Sequence, residues 1–263
     1  MTTVAEIVTI LELLAPPELA EDWDNTGLLI GRRDAAVGRV LTCLTLTPDV
    51  AAEAIADGYQ LIVTHHPVLF RATKRITDDN SEGSMLLQLI EQQVAVYSPH
   101  TGYDSAANGI NQQLAEAFGL ENVRPLRPTN DVADLGGGRT GTLPAPFPLP
   151  EFLARVKQVT SAKYLEFCGR PDAKVSRVAV ACGAAAEFLK DAVTLGCDTF
   201  VTGEARFHAA LEARAAKINL ILLGHFSSER PAVENLATML SDRFPGLHVL
   251  ASACETDPLT IFL

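Results

Sequence analysis

Residues 39–66 and 177–204 align without a gap at a constant offset of 138 positions, and this internal repeat constrains the fold more than any other feature of the chain. Six positions are identical: Arg39/Arg177, Val40/Val178, Ala54/Ala192, Gly58/Gly196, Val63/Val201 and Thr64/Thr202. They fall at a strand start, a helix C-cap and a strand end, where an α/β unit tolerates few residue types. In the first copy Val40 to Leu46 reads as a strand, Pro48 to Asp57 as a helix closed by Gly58, and Leu61 to Thr64 as a second strand. Such a crossover implies parallel pairing. The expected fold class is therefore α/β, with two related halves, 1–125 and 170–263. Residues 126–169 read as a Gly- and Pro-rich connection, Pro125 to Pro150, followed by a helix.

Around this frame the pattern is regular. Val4, Ile7, Val8, Leu11 and Leu14 mark an amphipathic helix over 3–15 that Pro16-Pro17 stops. A helix is expected from Ser84 to Gln93, a strand from Val94 to Ser98, and a helix from Ala106 to Phe118 closed by Gly119. Asp22-Trp23-Asp24-Asn25-Thr26-Gly27 reads as an Asx-type turn with Trp23 as a lid on the core, or else as a substrate wall beside a site. Asp134 to Gly141 reads as a flexible loop, or as a backbone-amide cradle for phosphate with Arg139 as its charge partner.

Polar chemistry gathers where the apolar strands stop. Leu61-Ile62-Val63-Thr64 runs into His65-His66-Pro67, Val94 to Ser98 into Pro99-His100, and Asn219 to Leu223 into Gly224-His225. In open α/β sheets ligands bind beyond the carboxyl ends of the strands. His100-x-x-x-Asp104 and His225-x-x-x-Glu229 share one spacing, and Gly203-Glu204 stands where the first copy has His65-His66. If a pseudo-two-fold relates the halves, their strand ends can face one another and form one convergent site. Imidazole with carboxylate and no thiolate suits zinc, manganese, iron, nickel or cobalt better than calcium. An open site needs about three protein ligands per ion, so five to seven candidates imply two ions. His208 either points at this site or is solvated, and His248 reads as structural.

Composition bounds the function. The chain has 263 residues, 48% hydrophobic, enough for a large core. No apolar run approaches the 18 or so residues of a membrane span, and the segment from Met1 to Leu14 lacks the basic start of a secretory signal. Five scattered cysteines without CxxC spacing suit a reducing cytoplasm, where we expect the protein. A net charge of −11 argues against a nucleic-acid partner.

The segments WDNTGLLIG, LIVTHHPVLF, SPHTGYDSAANGIN, FVTGEARFH and LLGHFSSE, in this order, resemble the GTP cyclohydrolase 1 type 2 homologue family, the NIF-like proteins with a dinuclear metal centre. By that resemblance His65, His66, Asp104, His225 and Glu229 are metal ligands, with Glu229 bridging two divalent ions. The resemblance also implies two α/β halves and a homo-oligomer, a toroidal hexamer with the metal sites facing an internal cavity. The chain is too short between its halves for the PII-like insert of longer members. It also departs from them at Leu44-Thr45-Leu46-Thr47, where Leu-Asp-x-Thr is common, so an acidic group near that turn is absent.

The sequence thus reads as a dinuclear metal-dependent hydrolase acting on a nucleotide or other phosphorylated heterocycle, and the resemblance implies purine ring opening of the GTP cyclohydrolase type. His100 or Glu204 is expected to transfer the proton. The alternative is a metal-binding, ring-shaped scaffold without turnover of its own.

Overall fold

A computed structural model describes residues 1–129 and 134–262. The elements in chain order are α1 (Val4–Leu14), β1 (Gly27–Ile30), β2 (Arg39–Thr45), α2 (Pro48–Ala56), β3 (Leu61–His66), α3 (Ser81–Glu91), β4 (Ala95–Ser98), α4 (His100–Ser105), α5 (Ile110–Ala117), β5 (Glu121–Pro128) and β6 (Gly136–Pro148). They continue as α6 (Leu149–Val159), β7 (Glu166–Cys168), β8 (Lys174–Ala181), α7 (Leu189–Thr194), β9 (Thr199–Thr202), α8 (Phe207–Ala216), β10 (Asn219–Leu222), α9 (His225–Arg243) and β11 (His248–Ala251). No described helix is long and apolar enough to cross a membrane.

The chain divides into two compact units, Met1–Tyr103 with Ala232–Leu263, and Asp104–Pro231. These boundaries differ from the division at 125 and 170 read from the sequence. The reason is β11, which lies far along the second half yet pairs in parallel with β2, so the last segment completes the first sheet.

The first unit carries a five-stranded sheet in the order β1-β4-β3-β2-β11, with β1 alone antiparallel. Its central strands are buried over nearly their whole length, as parallel strands covered on both faces must be. Leu41, Cys43, Ile62 and Val96 join Val50, Ala54, Leu86 and Leu89 in one apolar cluster. Thr42 donates its hydroxyl to Val233 O, and the Tyr103 hydroxyl to Ala232 O. The second unit carries a six-stranded sheet, β5-β6-β8-β9-β10-β7, parallel over β8, β9 and β10. Phe188, Leu189 and Ala192 cluster there with Ala179, Ala181, Phe200 and Leu220.

The repeat is borne out residue by residue. Val40 pairs with Leu61 and Cys43 with Thr64 in one sheet; Val178 pairs with Thr199 and Ala181 with Thr202 in the other. Adding 138 to the first register yields the second. Gly58 and Gly196 both sit at φ +68°. Gln60 Oε1 accepts the amides of Gly38 and Arg39, as Asp198 Oδ2 accepts those of Ser176 and Arg177. The helices differ in a way the sequence explains. Thr47 accepts the Val50 amide and Pro48 follows, so α2 is helical from its first turn. Its counterpart is Ala185, which has no side-chain acceptor, and residues 186–188 form a 3-10 turn before α7.

Beyond the strands the two units diverge. β3 pairs Leu61 with Ala95 of β4, while β9 pairs Thr199 with Asn219 of β10. In that register Gly224, not His225, holds the place of His100. Both residues have positive φ, +27° at His100 and +90° at Gly224. The shared H-x-x-x-acid spacing therefore does not descend from equivalent positions. The expected helix over 106–118 begins later, as α5 from Ile110 with Gly109 as its N-cap, and a separate short helix, α4, precedes it.

The glycine-rich connection is sheet, not linker. β5 and β6 pair antiparallel, and β6 pairs on with β8; residues 130–133 of that stretch lie outside the described residues. Its glycines mark close packing rather than looseness. A Cβ at Gly141 would lie 2.9 Å from Glu121 O, and one at Gly137 2.8 Å from the Phe188 ring. Arg139 is fully buried, and all five of its N–H donors are taken, by the carbonyls of Gly136, Gly138, Ser105 and Ala106 and by Gln112 Oε1. Burial pushes its pKa down to about 10. Neither the flexible loop nor the phosphate cradle survives, because the stretch is a strand and its arginine faces the interior.

Candidate functional site

In the first unit β3 runs one turn further than its apolar residues, through His66, which pairs with Thr45 of β2. The alternation of the strand then sends His65 and His66 to different surroundings: His65 is buried and His66 is half-buried. His100 opens α4 just after β4. The three rings converge, with centroids 5.1, 5.2 and 5.7 Å apart. One ring nitrogen from each lies within 4.8 Å of the others.

Two of the rings are oriented from behind. His66 Nδ1 is 2.7 Å from the Thr45 hydroxyl. Thr45 is the position at which the resemblance leads one to expect aspartate, so a neutral hydroxyl does the orienting here. The amides of Leu44 and Thr45 donate to the Glu255 carboxylate at 2.8 and 2.6 Å, which fixes that turn from the C-terminal segment. His100 Nδ1 is 2.7 Å from Asp24 Oδ1, and Asp24 Oδ2 accepts from the amide and hydroxyl of Thr101. Burial raises the Asp24 pKa, but the hydrogen bonds from His100 and Thr101 outweigh it and hold the carboxyl at about 2. Asp24 thus stays ionised behind His100, an arrangement that sets an imidazole's tautomer and raises its basicity.

Trp23 does not cover the core as one sequence reading expected. It is 60% exposed.

In the second unit α9 presents His225 and Glu229 one turn apart. His225 Nε2 is 3.1 Å from Glu229 Oε2, and Nδ1 is 2.9 Å from Glu204 Oε1. The hydrogen bond that His225 donates to Glu229 raises its pKa against the opposing effect of burial, and Glu204 adds to it, so the group is pushed up to about 9. Asp104 accepts from the Cys182 thiol at 3.2 Å, and Asn111 ties the same corner by donating to Asp104 O and accepting the Cys182 amide. Burial and the charges of Asp104 and Glu229 push the Cys182 thiol far above its usual range and hold it neutral.

Two glycines make room for Glu229. A Cβ at Gly183, which sits at φ +63°, would fall 2.4 Å from Glu229 Oε1. A Cβ at Gly203 would meet Gly183 O at 2.5 Å and Ser228 Oγ at 2.8 Å. Glycine therefore stands where the first copy has His65 because the buried glutamate's support takes the space. Glu204 borders a groove of about 690 Å³ that Lys190, Arg206, His208 and Glu212 also line. His208 is exposed there, and His248 is exposed on β11 rather than structural.

The structure thus brings His65, His66 and His100 together in one unit, and Glu204, His225 and Glu229 in the other, with Asp104 joined to Cys182. Sequence reasoning missed Cys182 and Gly183, whose signal was their alignment with Leu44-Thr45 in the repeat. The donor set is imidazole nitrogen and carboxylate oxygen with the nearby thiol held neutral. That chemistry fits a first-row divalent ion.

The sequence profile of Duf34/NIF3 (NGG1p interacting factor 3) matches residues 2–258. A GTP cyclohydrolase 1 type 2 homolog of Clostridium acetobutylicum is 36% identical over 231 residues, 88% of this chain and 86% of that one. The protein NIF3 homolog of Schizosaccharomyces pombe is 33% identical over 274 residues, 97% of each. The crystal structure of a Bacillus cereus protein related to NIF3 has a TM-score of 0.91 over 99% of both chains, at 25% identity. Sequence, fold and a match over nearly the whole chain agree: this protein belongs to the DUF34/NIF3 family.

Proposed function

We propose that the chain is a metal-dependent hydrolase that binds two divalent ions through His65, His66, Asp104, His225 and Glu229 and acts on a purine nucleotide. The observation that carries this reading is the convergence of three imidazoles at the strand ends, with ligating nitrogens within 4.8 Å. The names of the relatives support the nucleotide, and the carboxylates around His225 support the cation. Bound divalent ions supply Lewis acidity and a water whose pKa is lowered toward neutrality. The protein's own groups do the rest. Asp24 accepts from His100 Nδ1, which directs proton transfer to Nε2. Glu204 is the second proton-transfer group, since it lies both against His225 Nδ1 and along the open groove. His225 holds a proton between two carboxylates when no metal is bound, so metal uptake at that residue releases one proton.

Purified protein loaded in turn with zinc, manganese, iron, nickel and cobalt tests this by elemental analysis and by turnover of GTP, with His65→Gln as the blank. Near two equivalents of metal and turnover lost in the variant are expected. Metal near zero after every loading refutes the reading.

A second reading, a metal-binding ring-shaped scaffold without turnover, is favoured by the family description, which names a protein interaction rather than a reaction. Two equivalents of metal with no turnover of any nucleotide would select it. In either case we propose a cytoplasmic homo-oligomer, a toroidal hexamer, which sedimentation velocity tests directly.

A further inference from the structure

The chain's single tryptophan lies where large aromatics seldom do. Trp23 is 60% exposed and Phe70 is 47% exposed. Their rings meet edge to face, with centroids 5.9 Å apart at 75°. Both stand edge-on to His100, at 6.2 Å and 76° for Trp23 and 6.1 Å and 88° for Phe70. Exposed ring surface therefore lies against the imidazole cluster itself.

This placement is enforced. Asp24, next to Trp23, is bound to His100 and Thr101, and the Glu21 amide donates to Thr101 Oγ1. Asn25 Nδ2 donates to Leu69 O at 2.9 Å, which fastens the tryptophan segment to the turn that carries Phe70. Leu69 sits at φ +62°, a strained conformation for a leucine, and Phe70 leaves the turn directly after it. A surface loop with no task has no need of a left-handed leucine and a committed amide.

Two exposed aromatic rings recognise a flat ring or a cation. The residues that follow choose between these. Arg71, Lys74 and Arg75 are exposed and lie within five positions of Phe70, in a chain whose net charge is −11. Of the two acids that flank Trp23, Asp24 is occupied by four hydrogen bonds from Asn25, His100 and Thr101, while Asp22 is exposed. The three cations follow Phe70 directly, whereas the next acids of that loop, Asp78 and Asp79, lie further along it, and a flat ring is what the nucleotide reading calls for. An anion with a flat aromatic head would be met at both ends.

We infer that Trp23 and Phe70 form an aromatic platform on which the purine base of a nucleotide stacks, with Arg71, Lys74 and Arg75 set to meet its phosphates. The inference rests on the nucleotide reading above but not on the metal. It assigns base recognition to residues outside the ligand set.

Because Trp23 is the only tryptophan, its fluorescence reports on the platform alone. The experiment titrates GTP, guanosine and tripolyphosphate into the full-length protein, both metal-loaded and after EDTA treatment. Saturable quenching by GTP and by guanosine is expected in both forms, and none by tripolyphosphate. Phe70→Leu keeps an apolar side chain without the ring and should weaken both about tenfold, the scale of one base–aromatic stack. The triple change of Arg71, Lys74 and Arg75 to Ala should remove the preference for GTP over guanosine. Absence of quenching by either purine in both forms overturns the inference, whatever the metal analysis shows. So does quenching by tripolyphosphate alone, or a Phe70→Leu protein that titrates like the parent. Emission already blue-shifted and shielded from acrylamide before any nucleotide is added would also overturn it, since a second copy of the chain would then cover the rings. Quenching in a protein that takes up no metal from any loading leaves the platform standing, while the absence of metal sinks the hydrolase reading.

Discussion

Gly183 and Gly196 offer a controlled test of how the buried glutamate is held. Both occupy the left-handed region, at φ +63° and +68°, so alanine at either position carries the same backbone cost, about 1–2 kcal/mol. They differ in what the new methyl meets. Nothing lies within 4 Å of a Cβ at Gly196, whereas one at Gly183 falls 2.4 Å from Glu229 Oε1. Since Cβ contacts under 3.0 Å essentially never occur, the carboxylate must retreat by roughly half an ångström or more. Glu229 is only 3% exposed and has little room to do so. The retreat stretches its 3.1 Å contact to His225 Nε2. A hydrogen bond between charged groups contributes about 1.5–3 kcal/mol, and the partial exposure of His225 places this one at the lower end. Gly196→Ala should therefore lose about 1–2 kcal/mol in urea denaturation with metal affinity unchanged. Gly183→Ala should lose about 3 kcal/mol and bind zinc or manganese at least about tenfold more weakly by calorimetric titration. Equal stability losses together with parental metal affinity in Gly183→Ala would refute the view that the glycine exists to seat Glu229.

Glu229→Gln should lower metal occupancy at both proposed ion positions, while Asp104→Asn mainly empties one; elemental analysis in which Glu229→Gln loses no more metal than Asp104→Asn refutes the bridging role. Arg139→Lys replaces five fixed donors with three, and since Ala106 O keeps the Gly109 amide at least one buried oxygen is left unpaired, so it should cost about 1–3 kcal/mol in urea denaturation. A loss under about 1 kcal/mol would show that the corner around Arg139 can repack. Glu53 accepts from Ser252, Ala253 and Cys254; burial opposes its ionisation, but these bonds prevail and set its pKa below the usual 4.5. The stabilisation it gives the C-terminal segment is then complete above about pH 4.5 and lost as the pH falls through the lowered value. Hydrogen exchange at residues 252–254 should be faster in Glu53→Gln than in the parent at pH 7, and the two should converge at strongly acid pH. An unchanging difference would exclude Glu53 as the cause.

Much of the fold is local physics and can be read from the chain. The parallel strands are continuous apolar runs, Pro48 and Gly58 punctuate a helix, and the 138-residue offset carries over into identical strand registers in both sheets. The histidines at the strand ends could be picked out for the same reason, because the pattern shows where each strand stops. What could not be read is whatever depends on partners distant in sequence. The pairing of β11 with β2 moves the last segment into the first unit, yet nothing local distinguishes a strand of one sheet from a strand of the other. The glycines of β6 resemble a flexible connection because close packing and looseness call for the same residue, and only Phe188 and Glu121 show which applies. A buried Arg139 saturated by carbonyls looks, in sequence, like an arginine awaiting an anion. Asp24 behind His100 and Gly183 beneath Glu229 likewise act across 76 and 46 residues, so their roles are decided by tertiary structure alone.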